Sequence, residues 1–113
     1  MNVAAKFDLK RGGNEQYMFN LKAANGEVIL SSELYNEKPS AVHGIESVKV
    51  NAVEDLRFER KRAKSGQPFF VLKAANGETI GKSEMYSSSW AMERGIRSVK
   101  RNAPSARVDD LSV

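Results

Sequence analysis

Phe19, Leu21 and Ala23 alternate with Asn20 and Lys22, and Phe70, Leu72 and Ala74 repeat the pattern with Val71 and Lys73. A period of two places each set on one face of a β-strand. A short segment with a shared aromatic precedes each, Lys6–Lys10 and Arg57–Lys61. Turn signals at Gly12-Gly13 and Ser65-Gly66 follow, which reads as strand–turn–strand. A third strand is predicted over 27–35 and again over 78–86. Beyond Tyr35 and Tyr86 the period changes. Ala41, Ile45, Val48 and Ala52 recur at helical spacing, as do Met92, Ile96, Val99 and Ala103. Asn36 and Ser87 are the predicted N-caps, and Pro39 suits a first turn. Asn51 and Asn102 are predicted to end the helices in a left-handed conformation, with Pro104 forbidding continuation of the second.

The Asn-Gly between the second and third strands predicts a hairpin, and its loop length decides which residues face inward. A two-residue loop would bring Val28 and Leu30 to the face of Phe19 and Leu21. A three-residue loop, Ala24-Asn25-Gly26 with Gly26 left-handed, brings Ile29 there instead. The second hairpin has Thr79 and Gly81 in place of Val28 and Leu30 but keeps isoleucine at Ile80. The three-residue loop with a bulge at Gly26 and Gly77 is therefore expected. Each predicted helix also carries an internal glycine, Gly44 or Gly95. Such a glycine costs roughly 1 kcal/mol relative to alanine, so its presence in both predicts a close approach of the helix to the sheet or to its symmetry mate.

These parallels reflect a duplication. A shift of 51 residues aligns Lys6–Ala52 with Arg57–Ala103 without a gap, and 23 of the 47 positions are identical. The heptad LKAANGE occurs at Leu21–Glu27 and at Leu72–Glu78. The tail adds an echo: Val53-Glu54-Asp55-Leu56 follows the first Asn-Ala, and Val108-Asp109-Asp110-Leu111 follows the second four residues later. Each unit therefore reads β-β-β-α with a short final strand. Neither unit buries much core alone. The expected fold class is α+β: one domain over 1–113, made of repeat 1 (6–56) and repeat 2 (57–111). The two repeats share one antiparallel sheet with both helices on one face about a pseudo-twofold axis.

The pattern F-x-L-K-A-A-N-G-E, then S-E-x-Y, then G-I-x-S-V-K-x-N-A, twice over, resembles the YegP-like family of small bacterial proteins. The resemblance covers Lys6 to Ala103. It implies tandem β3-α-β units on one sheet, with C-terminal strands exchanged between units, and a bacterial cytoplasmic protein. It implies no activity and no catalytic residues. The second copy departs from the first where Trp90 replaces Pro39 and Ser87-Ser88-Ser89 replaces Asn36-Glu37-Lys38.

Composition narrows the chemistry. The 113 residues are 41% apolar and 28% charged, as in soluble globular proteins. No run of 18 apolar residues and no apolar leader is present, so neither a membrane span nor a signal peptide is expected. The absence of cysteine excludes disulfides and thiolate sites, and with no leader it points to the cytoplasm. The single histidine, His43, aligns with Arg94 and is read as a surface residue; no metal and no cofactor are expected.

Charge is where the copies part. Lys6–Ala52 has six basic and six acidic residues, whereas Arg57–Ala103 has eleven basic and four acidic. Arg94, Arg97 and Arg101 fall at i, i+3 and i+7 of the second helix, with Lys100 adjacent; Arg60 and Arg62 belong to a second cluster with Arg57, Lys61 and Lys64. Such a face suits phosphate contacts, with Trp90 or Phe69 available for stacking, or it is a solvated helix beside an ion-paired strand. Glu33-x-Tyr35 and Glu84-x-Tyr86 offer a carboxylate pair across the pseudo-axis for acid–base work. The favoured reading is strand-end glutamates paired with Lys22 or Lys73, with each tyrosine half-buried at the strand–helix corner. Because the duplicated residues are mainly turn, core and cap residues, the expected function is a small non-enzymatic binding or interaction module, with weakly sequence-selective nucleic-acid binding through repeat 2 as the alternative. A chain that completes its own pseudo-dimer is expected to be a monomer.

Overall fold

A computed structural model describes residues 4–113; residues 1–3 of the expected domain lie outside the described residues. The first half contains strands β1 (Lys6–Arg11), β2 (Tyr17–Lys22) and β3 (Val28–Ser31) and helix α1 (Lys38–Asn51). The second contains β4 (Phe58–Arg62), β5 (Pro68–Lys73), β6 (Thr79–Lys82), α2 (Ser89–Asn102) and a final strand β7 (Arg107–Asp110). All seven strands form one sheet in the order β4-β5-β6-β3-β2-β1-β7. The third strands meet at the centre, where Ser31 pairs with Lys82, the residue 51 positions later. The pseudo-twofold axis therefore passes between β3 and β6.

The sheet is mixed, not wholly antiparallel as expected: β7 runs parallel to β1. Strand β7 comes from the second half and adds to the first, Val108 beside Phe7 and Asp110 beside Leu9. The exchange is one-sided. In the first half the expected final strand, Val53–Leu56, does not form. Its place is taken by a 3-10 turn at Asp55–Arg57 that runs straight into β4. The four extra residues after the second Asn-Ala give β7 the length to reach β1; the first linker has no such slack.

Both helices cover one face of the sheet. Phe7, Leu9, Phe19, Leu21, Phe58, Phe70 and Leu72 face Ala41, Ile45, Val48, Met92, Ile96 and Val99 in a single buried cluster. Each fully buried Phe or Leu side chain here contributes about 1.5–3 kcal/mol of transfer free energy. The predicted helical stripes are the buried ones, Ala52 and Ala103 included. The opposite face carries ion pairs. Lys22 bridges to the buried carboxylate of Asp8 at 2.8 Å, and Lys73 to Glu59 at 3.3 Å. Lys22 and Lys73 are thus cross-strand partners of β1 and β4, not partners of Glu33 and Glu84.

The three-residue loop forms as the pattern predicts. The Ala23 N–H donates to the Glu27 carbonyl and the Gly26 N–H to the Ala23 carbonyl, with Gly26 at φ 88° and Gly77 at φ 90°. A further bulge follows: Lys22 pairs with Val28, but Leu21 pairs with Leu30. The extra residue, Ile29, remains buried as expected, and Leu30 turns inward as well. The third strands are shorter than predicted because Ser32 and Ser83 end them. Their hydroxyls accept from the Phe19 and Phe70 N–H groups and donate to the next carbonyl.

Helix ends differ by one residue from expectation. Glu37 and Ser88 are the N-caps, and only Ser88 uses its side chain, accepting from the Ala91 N–H at 3.0 Å. Asn51 and Asn102 stay right-handed. Their side-chain amides instead donate back to the carbonyls of Ser47 and Ser98 at 2.9 Å. Pro104 follows in a short 3-10 turn. Both internal glycines sit against a tyrosine: a Cβ on Gly44 would lie 2.5 Å from the Tyr35 hydroxyl, and one on Gly95 would overlap that of Tyr86. The close approach predicted from the glycines is thus to the tyrosine that ends each third-strand segment.

Candidate functional site

The pseudo-axis carries α2 across the sheet onto the hairpin of the other repeat. Between them lies an open groove of about 510 Å³. One wall is the first LKAANGE hairpin, with Asn25, Glu27 and Ile29; the other is α2, with Arg94, Arg97 and Arg101; Tyr86 lies between. Three of the six basic residues singled out in the sequence therefore converge. Helical spacing alone places them along one face of α2. Among the described residues none of the three forms a salt bridge. Arg94 lies over the Trp90 ring, its guanidinium carbon 5.0 Å from the centroid, and Trp90 is 68% exposed.

The other three are held elsewhere. Arg60 donates bidentately to Glu93, at 2.8 and 2.9 Å, and reaches Asp55 at 3.2 Å. Lys100, on the opposite flank of α2 from the groove, donates to the same Asp55 oxygen at 2.6 Å. The Lys100 ammonium, then the Arg60 guanidinium, holds the Asp55 carboxyl below its usual range. Arg62 donates to the Gly66 carbonyl and Ser89 hydroxyl beside β4. The helix stripe and the second basic cluster are thus two separate surfaces, and the one on the β4 side is largely compensated. Asp55, in a linker without periodicity, gave no sign of that role in the sequence.

The pseudo-symmetric positions make the comparison sharp. Where α2 presents Arg94, Arg97 and Arg101, α1 presents His43, Glu46 and Val50. All six are exposed. The fold offers the same surface twice, and the sequence makes only one of them cationic.

Glu33 and Glu84 are exposed and lie on opposite sides of the axis. Each instead meets the hairpin glutamate of the other repeat at a tyrosine. Burial pushes the Tyr86 hydroxyl up, and Glu84 and Glu27 push it further; burial, Glu33 and Glu78 do the same at Tyr35. Glu27, Glu84 and Tyr86 line a second hollow adjoining the arginine groove. The sequence did not reveal this pairing, although Glu27 and Glu78 both stand in the duplicated heptad. Among the described residues no cluster of three or more His, Asp or Glu side chains could hold a metal ion, and no helix is long and apolar enough to cross a membrane.

Comparison with known proteins matches this architecture. A family described as a domain of unknown function, DUF1508, matches residues 13–59 and again 63–110. A UPF0339 protein of Pseudomonas aeruginosa is 52% identical over 97% of this chain and 100% of its own length. The UPF0339 protein YegP of Yersinia pestis is 48% identical over 95% of this chain and 96% of its own. The solution structure of the protein of unknown function yegP from E. coli superposes with a TM-score of 0.92 at 46% identity, covering 99% of this chain and 97% of that one. A UPF0339 structure from Shewanella oneidensis gives 0.91 at 46% identity, covering 96% and 92%. With two tandem DUF1508 matches and relatives of about half identity over nearly its full length, the chain belongs to the UPF0339, YegP-like family of bacterial proteins.

Proposed function

We propose that the chain is a small non-enzymatic binding module and that the arginine face of α2 is its ligand site. The phosphates of single-stranded nucleic acid are the ligand proposed for it. One observation carries the reading: three guanidiniums that have no carboxylate partner among the described residues, on a surface whose pseudo-symmetric copy has no arginine at all. Guanidiniums suit phosphate because they present planar, paired donors and stay charged. Trp90, exposed next to Arg94, adds a stacking surface for a base. Glu27 and Glu84 at the foot of the groove repel an anion there, which keeps a strand on the helix crest. Binding of this kind is salt-dependent and weakly sequence-selective. A cytoplasmic monomer fits the reading, since the pseudo-dimer is complete within one chain, and light scattering measures that state.

The test is a titration of fluorescent single-stranded and duplex oligonucleotides at two salt concentrations. Single-stranded binding at low salt, weakened by Arg97→Glu with Arg101→Glu and by Trp90→Ala, is expected. Absence of binding at low salt, or indifference to the double reversal, removes the reading. Turnover of any substrate that is lost in Glu84→Gln would overturn its non-enzymatic part.

A further inference from the structure

The pseudo-twofold leaves one position unfilled. Strand β7 covers the outer edge of β1, but among the described residues no strand covers the same edge of β4, the other end of the sheet. The consequence is visible at paired positions. Ala5, just before β1, is 6% exposed; its equivalent Leu56, just before β4, is 88% exposed, and Val53 stands open nearby. Beside β1, Asp110 is held by Lys38, and the Leu111 N–H donates to the Leu9 carbonyl at 2.8 Å. The corresponding space beside Arg60 and Ser89 is a groove of about 320 Å³, bordered by Arg62, Pro68, Met92 and Glu93, the last neutralised by Arg60.

The edge is ready for a strand. The Leu9 carbonyl points to β7, and alternate residues of a strand send N–H and C=O to the same side. By equivalence Arg60 and Arg62 direct their main-chain N–H and C=O groups to the open edge, and Phe58 its carbonyl; the Phe58 N–H is taken by the Asp55 carbonyl of the preceding turn. Glu59 and Lys61 pair inward with Val71 and Phe69. The chain's own candidate, Val53–Leu56, is committed to the turn into β4 and to the Asp55 contacts with Arg60 and Lys100.

Charge selects the occupant. The strand that fits the other edge is Arg107-Val108-Asp109-Asp110, its carboxylates on Lys6 and Lys38. On the open edge Arg60 is paired with Glu93 and Asp55, and Lys61 with Glu59 at 3.4 Å. Among the described residues Arg62 meets neutral acceptors, the Gly66 carbonyl and the Ser89 hydroxyl, and Lys64 in the turn beyond forms no salt bridge, so these two leave the edge its net positive charge. Positive residues along an edge repel a second copy of the same edge and attract an acidic strand. We propose that the β4 edge and the groove beside Ser89 take an extended acidic segment of a partner protein as an eighth strand, parallel to β4. An apolar residue of the segment stands at the level of Phe58 and Leu56, and its carboxylates lie along Arg60–Arg62. Main-chain hydrogen bonds supply the affinity of such strand addition and the side chains its selectivity. This surface is separate from the arginine face of α2.

The test uses the full chain, isotopically labelled, and a blocked synthetic peptide with the sequence ARVDDLSV, the chain's own residues 106–113. Expected are amide shifts at Leu56 and Phe58–Arg62 and affinity that falls with salt. Binding is expected to weaken by about tenfold with Lys61→Glu and Arg62→Glu together, or with lysines replacing both peptide aspartates. A peptide whose central residues are N-methylated is expected not to bind, because it cannot complete the main-chain pairing. No binding at low salt overturns the proposal. So do shifts confined to β1 and β7, which signal displacement of the native strand, and shifts on α2 at Arg94–Arg101, which signal simple anion binding. Binding indifferent to N-methylation or to the double reversal, in variants whose spectra show the native fold, overturns it equally.

Discussion

The side chain of Leu30 fills the space above Gly81: a Cβ on that glycine would lie 2.6 Å from Leu30 Cδ2. The two are the same position in the two repeats, next to the pseudo-axis, so symmetry would bring two leucines into one volume. One leucine and one glycine solve that packing problem. Leu30→Gly leaves a cavity and is expected to cost about 3–5 kcal/mol. Gly81→Leu overpacks the centre and costs about 1–3 kcal/mol or more. The swapped double variant restores one leucine at the axis from the other side. Chemical denaturation should therefore show the double variant to be more stable than the sum of the singles requires; strict additivity would mean that the two do not share the space.

The glycines inside the helices should behave against their propensity. Glycine to alanine in an exposed helix interior stabilises by roughly 1 kcal/mol. At Gly44 and Gly95 the new methyl meets a tyrosine hydroxyl packed between helix and sheet. Gly44→Ala and Gly95→Ala are each expected to destabilise by about 1–3 kcal/mol, read as a lower denaturant midpoint with an unchanged slope.

Much of this was legible in the chain itself. The duplication called for a pseudo-twofold axis, though not for its place between β3 and β6; period-two and helical spacing located the buried faces, and the mismatch at Val28/Thr79 and Leu30/Gly81 set the hairpin loop. The inward turn of Leu30 was not legible, because a bulge at Ile29 breaks the alternation without a marker residue. Nor was the parallel β7: four extra residues decide whether an identical-looking tail becomes a strand or a linker. At the candidate site, Arg94, Arg97 and Arg101 followed from helical spacing. The ion pairs that occupy Arg60 and Lys100 did not, because they close on Asp55 and Glu93 through tertiary contacts.

Glu15 sits at φ 63°, in the left-handed region, at the position where repeat 2 has Gly66 at φ 87°. A side chain there costs about 1–2 kcal/mol, partly offset by the greater unfolded-state entropy of glycine and by the exposed Arg11–Glu15 ion pair at 2.6 Å. Glu15→Gly is expected to raise stability by about 0.5–1 kcal/mol. Thermal unfolding of the variant checks the sign, and a lower midpoint would show that the ion pair outweighs the backbone strain.

The docking of β7 is expected to depend on pH. Its carboxylates make the clamps: Asp109 accepts from Lys6 at 2.9 Å, and Asp110 pairs with Lys38. The Lys38 ammonium, then the Ser112 hydroxyl and N–H, hold the Asp110 carboxyl down at about 2, against an ordinary value of 3.8. A carboxyl depressed in the folded state contributes stability above its unfolded value and loses it as pH falls through the folded one. The Asp110 contribution should therefore be complete above about 4 and fade between about 4 and 2. The burial of Leu9 and Phe7 by the helices does not titrate, so the strand should loosen before the core does. Amide exchange read by NMR provides the check. The Leu111 N–H, bonded to the Leu9 carbonyl, should lose protection across that window while Leu21 and Leu72 keep theirs, and Lys38→Gln should remove most of the dependence. Equal loss at Leu111 and Leu72 would mean that β7 opens only with the whole sheet.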